Sequence, residues 1–235
     1  MWSSPANGLQ QLLDLLYPPK CISCQRSGQG SLCPTCRAAI TFIRPPICQK
    51  CGYPNRQSVP HCWQCQHHDL CYLDAIRAVA LYDDNPLQTA IRKFKYQNNR
   101  TAVQVLASFL VDCYHSHHLK TDLIVPVPLH PKRQKERGYN QSLMLAERLS
   151  MALRQPMDTK SLVRQRVTQS QMSLKGAERK ANVADAFQCQ SDKLRDKTIL
   201  LIDDVCTTGA TLNACAQALK NSGVAAVFGL TLARA

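Results

Sequence analysis

The sequence predicts an α/β protein: a mostly parallel sheet flanked by helices, with a small cysteine-rich module at its N-terminal end. Three observations carry this. From Ala75 onward, strand-like and helix-like stretches alternate, as in sheets built by crossover connections. One strand candidate, residues 198–203, contains Ile199, Leu200, Leu201 and Ile202 in succession. Such a run suits a strand buried on both faces and is too short for a helix of its own. Finally, eight of the 13 cysteines fall in four pairs within the first 65 residues. A chain of 235 residues holds one good core plus an appendage.

The pairs are Cys21/Cys24, Cys33/Cys36, Cys48/Cys51 and Cys62/Cys65, each with two residues between. Thiolates at this spacing form knuckles that give two sulfurs each to tetrahedral zinc, and two knuckles fill one site. Eight sulfurs therefore predict two structural four-cysteine zinc sites. Sequential pairing of knuckles is the expected arrangement, although the spacing also permits crossed pairing. A redox role suits an isolated Cys-x-x-Cys better than four pairs in one region. With enough cysteines present, His61, His67 and His68 are expected at the surface rather than on the metal. Cys113 and Cys215 fall in helical patterns and read as small core residues, whereas Cys71, Cys189 and Cys206 stand alone. The module, residues 1–71, is poor in apolar residues, so metal rather than a core is expected to hold it folded; residues 72–235 form the main domain.

The formal charge of +13 favours polyanionic partners. Two filled zinc sites, each carrying about −2, lower it to about +9 and leave the protein basic. No basic residue precedes Lys20, and the leucines of residues 9–16 are interrupted by Gln and Asp, which does not resemble a secretory signal. No run approaches the roughly 20 apolar residues that span a bilayer. A soluble, cytoplasmic protein is expected, with no membrane span.

In chain order, Leu9, Leu12, Leu13 and Leu16 make a short helical stripe ended by Tyr17-Pro18-Pro19, a helix that needs a docking surface to persist. Residues 76–82 alternate as a strand. Asn85-Pro86 starts a helix reaching about Tyr96, and residues 102–115 form a second. Residues 123–127 are a strand that must leave the sheet where Pro126 and Pro128 cannot donate to a ladder. A basic loop follows, residues 129–141, with Lys132, Arg133, Lys135 and Arg137 within six positions. In it Gly138 permits a tight turn and Asn140 caps the next helix. That helix, 142–153, presents Leu143, Ala146, Leu149 and Leu153 on one face. Residues 161–163 and 184–188 are short strands around a polar, basic loop. Strand 198–203, helix 212–222 and strand 224–233 close the domain. Right-handed crossovers place the loops after Val127 and after Asp203 at one carboxyl edge, where open α/β sheets bind ligands.

At that edge stand Asp203 and Asp204, then Thr207, Thr208, Gly209, Ala210 and Thr211 at a helix start. Hydroxyls and backbone N–H groups at a helix N-terminus cradle phosphate, and an acid pair binds a diol or a metal. A buried strand and a threonine cap are the plain alternative. The order, four hydrophobics, Asp-Asp, two residues, then Thr-Thr-Gly-x-Thr, resembles the phosphoribosyl-pyrophosphate (PRPP) motif of type I phosphoribosyltransferases. The basic loop suits a pyrophosphate, which arginine grips bidentately.

Val125-Pro126-Val127-Pro128-Leu129, Arg133 and Arg137-Gly138-Tyr139-Asn140-Gln141 resemble the signature of ComF/GntX proteins, zinc-bearing phosphoribosyltransferase relatives linked to natural competence. Thr168, Gln171, Leu174, Arg179, Asn182-Val183 and Phe187 resemble the family's next stretch, and Phe94-Lys95-Tyr96 its lysine-bearing helix. With the knuckles, the likeness spans nearly the whole chain. It implies a type I phosphoribosyltransferase-like parallel sheet with an N-terminal double zinc ribbon. Asp203 and Asp204 would hold the ribose hydroxyls or their magnesium, and Thr207–Thr211 the 5-phosphate. Lys132, Arg133, Arg137 and Gly138 would contact pyrophosphate. Arg179 and Gln171 would lie on a loop closing over the site, and Lys95 would add charge from the opposite wall.

Three functions follow. The first is a ComF-like competence protein that binds PRPP or a related sugar phosphate and handles incoming single-stranded DNA, with competence proteins as partners. The second is a working phosphoribosyltransferase on a small nitrogenous acceptor. Base salvage needs a hood over the acceptor, and with the chain stopping at Ala235 only the zinc module is placed to supply one. The third is a zinc-ribbon nucleic-acid or protein adaptor with a relic sugar-phosphate site. The presence of Asp203, Asp204 and Gly209 argues against a relic.

Overall fold

In the computed structural model, four parallel strands form the main sheet: β1 (Ala75–Leu81), β2 (Leu123–Pro126), β5 (Thr198–Cys206) and β6 (Ala226–Arg234), in the order β1-β6-β5-β2. Described are residues 18–28, 30–63, 65, 70–96, 101–165 and 186–235. The leucine stripe before Tyr17, His67, His68 and residues 166–185 lie outside them. A smaller antiparallel pair, β3 (Leu162–Arg164) and β4 (Phe187–Cys189), stands beside the main sheet.

The apolar run of β5 explains the layers. Ile199, Leu200, Leu201 and Ile202 are all fully buried, and successive side chains point to opposite faces. Leu200 and Ile202 join one core cluster, Ile199 and Leu201 the other. The first face is covered by α2 (Pro86–Tyr96), α3 (Thr101–Ser116) and α5 (Gln141–Leu153). The second carries α6 (Ala210–Asn221) and, unexpectedly, the second cysteine cluster itself. Each fully buried aliphatic side chain contributes about 1.5–3 kcal/mol relative to exposure. β1 shows the same two-sided burial rather than alternation, because Ile76 packs in one core cluster and Val79 and Ala80 in the other.

The knuckles pair sequentially. Cys21, Cys24, Cys33 and Cys36 bring their sulfurs within 4.8 Å of one another, and so do Cys48, Cys51, Cys62 and Cys65. The short α1 (Pro34–Ala38) begins at Cys33, whose side chain caps it. A tetrahedral zinc site with bonds near 2.3 Å separates its sulfurs by about 3.8 Å. The observed separations of 3.7 Å (Cys24–Cys33), 3.6 Å (Cys48–Cys65) and 3.4 Å (Cys51–Cys62) fit that donor set.

Both ribbons dock on the domain through backbone. Residues 41–43 run against the outer edge of β1, with Ile43 N donating to Val79 O and Leu81 N to Thr41 O, which covers an otherwise open strand edge. The second knuckle pair packs so closely that a Cβ on Gly52 would lie 2.4 Å from the carbonyl oxygen of Ile76. Only glycine fits there.

Three expectations change. The basic loop contains a helix, α4 (Pro131–Arg137), with Pro131 in its first turn, the His130 side chain accepting from Lys132 N, and Gly138 closing it in the left-handed region. Proline is preorganised at a helix start and the long cationic side chains are good helix formers, so a run read as loop folds. The strand expected to end at Asp203 continues to Cys206, because β6 stays paired with it as far as Arg234. On α5 the buried face is Leu145, Ala146 and Leu149, with Gln141 and Ser142, whereas Leu143 and Leu153 are half-buried.

Candidate functional site

β2 and β5 are adjacent and parallel, so their carboxyl ends share one edge, as the crossover argument requires. β2 stops at Pro126, and Asn140 then fastens the following segment. Its Nδ2 donates to Val127 O at 3.1 Å, while its Oδ1 caps α5 by accepting from Ser142 N and Leu143 N. Tyr139, between them, donates its hydroxyl to Phe94 O, and its ring lies 6.2 Å from that of Phe94. This ties the turn to the end of α2, beside Lys95. Arg137 donates to Gln141 Oε1 at 2.8 Å. Within α4, Arg133 and Arg137 are half-buried while Lys132, Lys135 and Glu136 are exposed. The i, i+4 spacing puts both arginines on the face turned to the protein.

The acid pair lies within β5. Asp203 Oδ1 accepts from Ser142 Oγ at 2.9 Å and from the N–H of Asp204 at 2.9 Å. Asp204 is buried and pairs with Lys95 Nζ at 2.9 Å. Burial, followed by the neighbouring Asp204 charge, pushes the Asp203 carboxyl up to about 6, against the opposing pull of Ser142 and Lys95. For Lys95, burial favours the neutral amine, but the Asp204 carboxylate outweighs it and the net shift is upward. The site thus stores more negative charge than the protein alone relieves, which suits a cation or a hydrogen-bonding diol.

Beyond Cys206 the chain turns into α6. Gly209 sits at φ +83°, and a Cβ there would come within 2.7 Å of Leu70 Cδ2. No threonine side chain caps α6; Thr208 Oγ1 instead accepts from Ala210 N at 3.3 Å. Asp203, Thr207, Gly209, Ala210 and Thr211 line a shallow hollow open to solvent. Backbone N–H groups at such a turn favour an anion.

Asp203, Asp204, Lys95 and the 207–211 loop are thus brought together, with Arg133, Arg137 and Gly138 on the neighbouring segment and Lys132 facing outward. Gln171 and Arg179 lie outside the described residues. The sequence reading missed three side chains. Ser142 orients Asp203. Arg164 on β3 is half-buried, with its pKa lowered by burial and by Arg133, and sits 5.2 Å over the Phe187 ring. Arg234 contacts the loop from beneath. No local signal marks them, since each depends on a partner distant in sequence.

Comparisons with known proteins agree with this architecture. The double zinc ribbon domain matches residues 12–66, and the phosphoribosyl transferase domain matches residues 140–234. Competence protein F of Haemophilus influenzae is 32% identical over 226 residues, 92% of this chain and 97% of that protein. DNA utilization protein YhgH of Escherichia coli is 30% identical over 91% of this chain and 96% of its own. Competence protein ComFC of Bacillus subtilis is 31% identical over 86% of this chain and 84% of its own. Among solved structures, adenine phosphoribosyltransferase from Trypanosoma brucei, in complex with AMP, pyrophosphate and ribose-5-phosphate, aligns over 66% of this chain and 70% of that one, with a TM-score of 0.39 and 14% identity. The fold is the phosphoribosyltransferase-like α/β fold with an N-terminal double zinc ribbon. Among the described residues, no helix is long and apolar enough to cross a membrane.

Proposed function

The chain belongs to the family of competence protein F and ComFC, and from that premise we propose that it is a ComF-like competence protein. Its phosphoribosyltransferase-type domain binds PRPP or a related sugar phosphate with magnesium, and it takes part in handling incoming single-stranded DNA during natural transformation. The observation that carries the sugar-phosphate reading is the acid pair Asp203–Asp204, held by Ser142 and Lys95 at the mouth of a glycine-turned loop.

In this reading Asp203 and Asp204 take the ribose hydroxyls or the magnesium on them, and Thr207–Thr211 receive the 5-phosphate. The Lys132 backbone, Gly138, Arg133 and Arg137 face the pyrophosphate, and Arg179 and Gln171 close over it. Two adjacent carboxylates, Asp204 buried and Asp203 half-buried with a raised pKa, are a suitable donor set for a hard divalent cation. Magnesium, when bound, would neutralise charge on the pyrophosphate as a leaving group. Lys95 meanwhile keeps Asp204 compensated in the free protein.

The DNA part is supported by the formal charge of +13, by the relatives' names, and by Trp63, 71% exposed beside the second cysteine cluster. Base–aromatic stacking on such a ring is tolerant of sequence. Two experiments test the proposal. PRPP with magnesium should raise the melting temperature of the zinc-loaded protein, and should not do so for the Asp203→Asn/Asp204→Asn variant; an unchanged wild-type melt counts against the sugar-phosphate site. Affinity for a labelled single strand should fall as salt rises, whereas a flat response contradicts phosphate contacts.

A second reading, turnover on a small nitrogenous acceptor, is favoured by the intact acid pair. It predicts pyrophosphate release from PRPP when the acceptor is supplied.

A further inference from the structure

Arg234, the last residue of β6, is 1% exposed. A guanidinium that deep in a protein requires partners for its charge and its donors. Its Nη1 donates to Cys206 Sγ at 2.7 Å and to the carbonyl of Thr207. Cys51 shares one buried cluster with Cys206, and its thiol and the Arg234 guanidinium act on each other electrostatically. The two surroundings differ: the acceptors Cys206 and Thr207 open the phosphate loop, whereas Cys51 is a sulfur of the second cluster.

Arg77 approaches that cluster from β1. Its Nη1 donates to Gln49 O at 2.9 Å and Ile76 O at 2.8 Å, and its charge acts on Cys48 and Cys51. Zinc with four thiolates carries about −2, and burying that charge without compensation is costly. Arg77 and Arg234 together balance it. The first cluster is different, since Cys24 is exposed and water screens the charge there. The loop also rests physically on the second ribbon's exit: Leu70 lies against Gly209, and Tyr72 N donates to Asn213 Oδ1 on α6 at 3.1 Å.

We propose that Arg234 is a positioning residue that couples the second zinc site to the phosphate loop. The loaded site holds the guanidinium, and the guanidinium holds Cys206 and Thr207, so zinc sets the shape of the loop's entry. The coupling goes beyond the sugar-phosphate reading and needs only the metal reading of the second cluster.

The test uses the full, ligand-free chain with its zinc counted, so it is independent of whether PRPP binds. Amide hydrogen exchange is followed at residues 206–212, with residues 123–129 as internal reference, alongside the rate at which a chelator removes each zinc. Arg234→Met should retain two zinc ions, exchange about tenfold faster at 206–212 with no change at 123–129, and release the second zinc about tenfold faster. In cobalt-substituted protein, the same variant should shift the sulfur-to-cobalt absorption of one site only, since the positive charge acting on Cys51 is removed. Arg234→Lys restores charge beside the cluster but not the forked grip. It should therefore return zinc release towards wild type while loop exchange stays fast. Cys24→Ser, which empties the first site, should leave the loop unchanged.

An Arg234→Met protein with two zinc ions and wild-type exchange at 206–212 would overturn the proposal. Equal loosening by Cys24→Ser would do so too. Should the Met variant fold poorly, Arg234→Lys decides alone: wild-type loop exchange in it refutes the coupling.

Discussion

At the scale of single residues, the site is defined by a charge imbalance. The Asp203 carboxyl, raised to about 6 by burial and by Asp204, holds its proton more tightly folded than unfolded. Folding therefore takes up a proton between roughly pH 4 and 6, stability falls as pH rises through that window, and the full penalty applies above it. Asp203→Asn keeps an oxygen for Ser142 and sheds the charge. Ligand-free, it should be more stable than wild type by about 1–2 kcal/mol at pH 8, with the gap closing near pH 4; urea unfolding at the two pH values measures this, and equal stability at pH 8 contradicts it. Lys95 works in the opposite sense. Lys95→Met leaves Asp204 buried without its cation and should cost about 3 kcal/mol at pH 8. Part of that loss should be recovered at pH 5, where Asp203 is largely protonated. A loss independent of pH would mean that packing, not charge, is what Lys95 supplies.

At the scale of elements, the loop between β5 and α6 carries the proposed phosphate site. Gly209→Ala forces φ +83° on a residue with a Cβ and pushes that atom to 2.7 Å from Leu70 Cδ2. The left-handed backbone alone costs about 1–2 kcal/mol. The variant should lose about 1–3 kcal/mol of stability and bind phosphate ligands more weakly than that loss explains, because the turn presents the N–H groups. Melting and ligand titration on one preparation separate the two effects. This loop was legible in the sequence because its chemistry is local: four apolar residues, two acids, hydroxyls and a glycine lie in one stretch. Helix α4 was not, since charge density suggests a loop while Pro131, His130 and Gly138 supply a start and a stop. The extension of β5 to Cys206 was hidden as well, because it depends on where β6 ends. Side chains such as Ser142 and Arg234 act across 61 and 28 positions of sequence, and no spacing rule reaches that far.

At the scale of the whole molecule, the two ribbons have different standing. The four-knuckle spacing announced both zinc sites, but only the packing distinguishes them. The first cluster forms its own small group with Leu32, whereas the second shares a core with β5, β6 and α6. A chelator should therefore remove the first zinc, reached at exposed Cys24, with near-ultraviolet dichroism retained. Loss of the second should coincide with unfolding of the α/β domain. Simultaneous loss of both without unfolding would contradict this division. The basic segment and the acid pair meet only because parallel pairing of β2 and β5 places both strand ends on one edge. On the proposed function, that juxtaposition receives a sugar phosphate with two anionic ends. The most direct measurement of this claim is calorimetric titration of the zinc-loaded protein with PRPP, with and without magnesium, for wild type and for Asp203→Asn/Asp204→Asn. Saturable, magnesium-dependent binding at one site per chain, lost in the variant, is the predicted result. Absence of binding by the wild type, or equal binding by the variant, would contradict it.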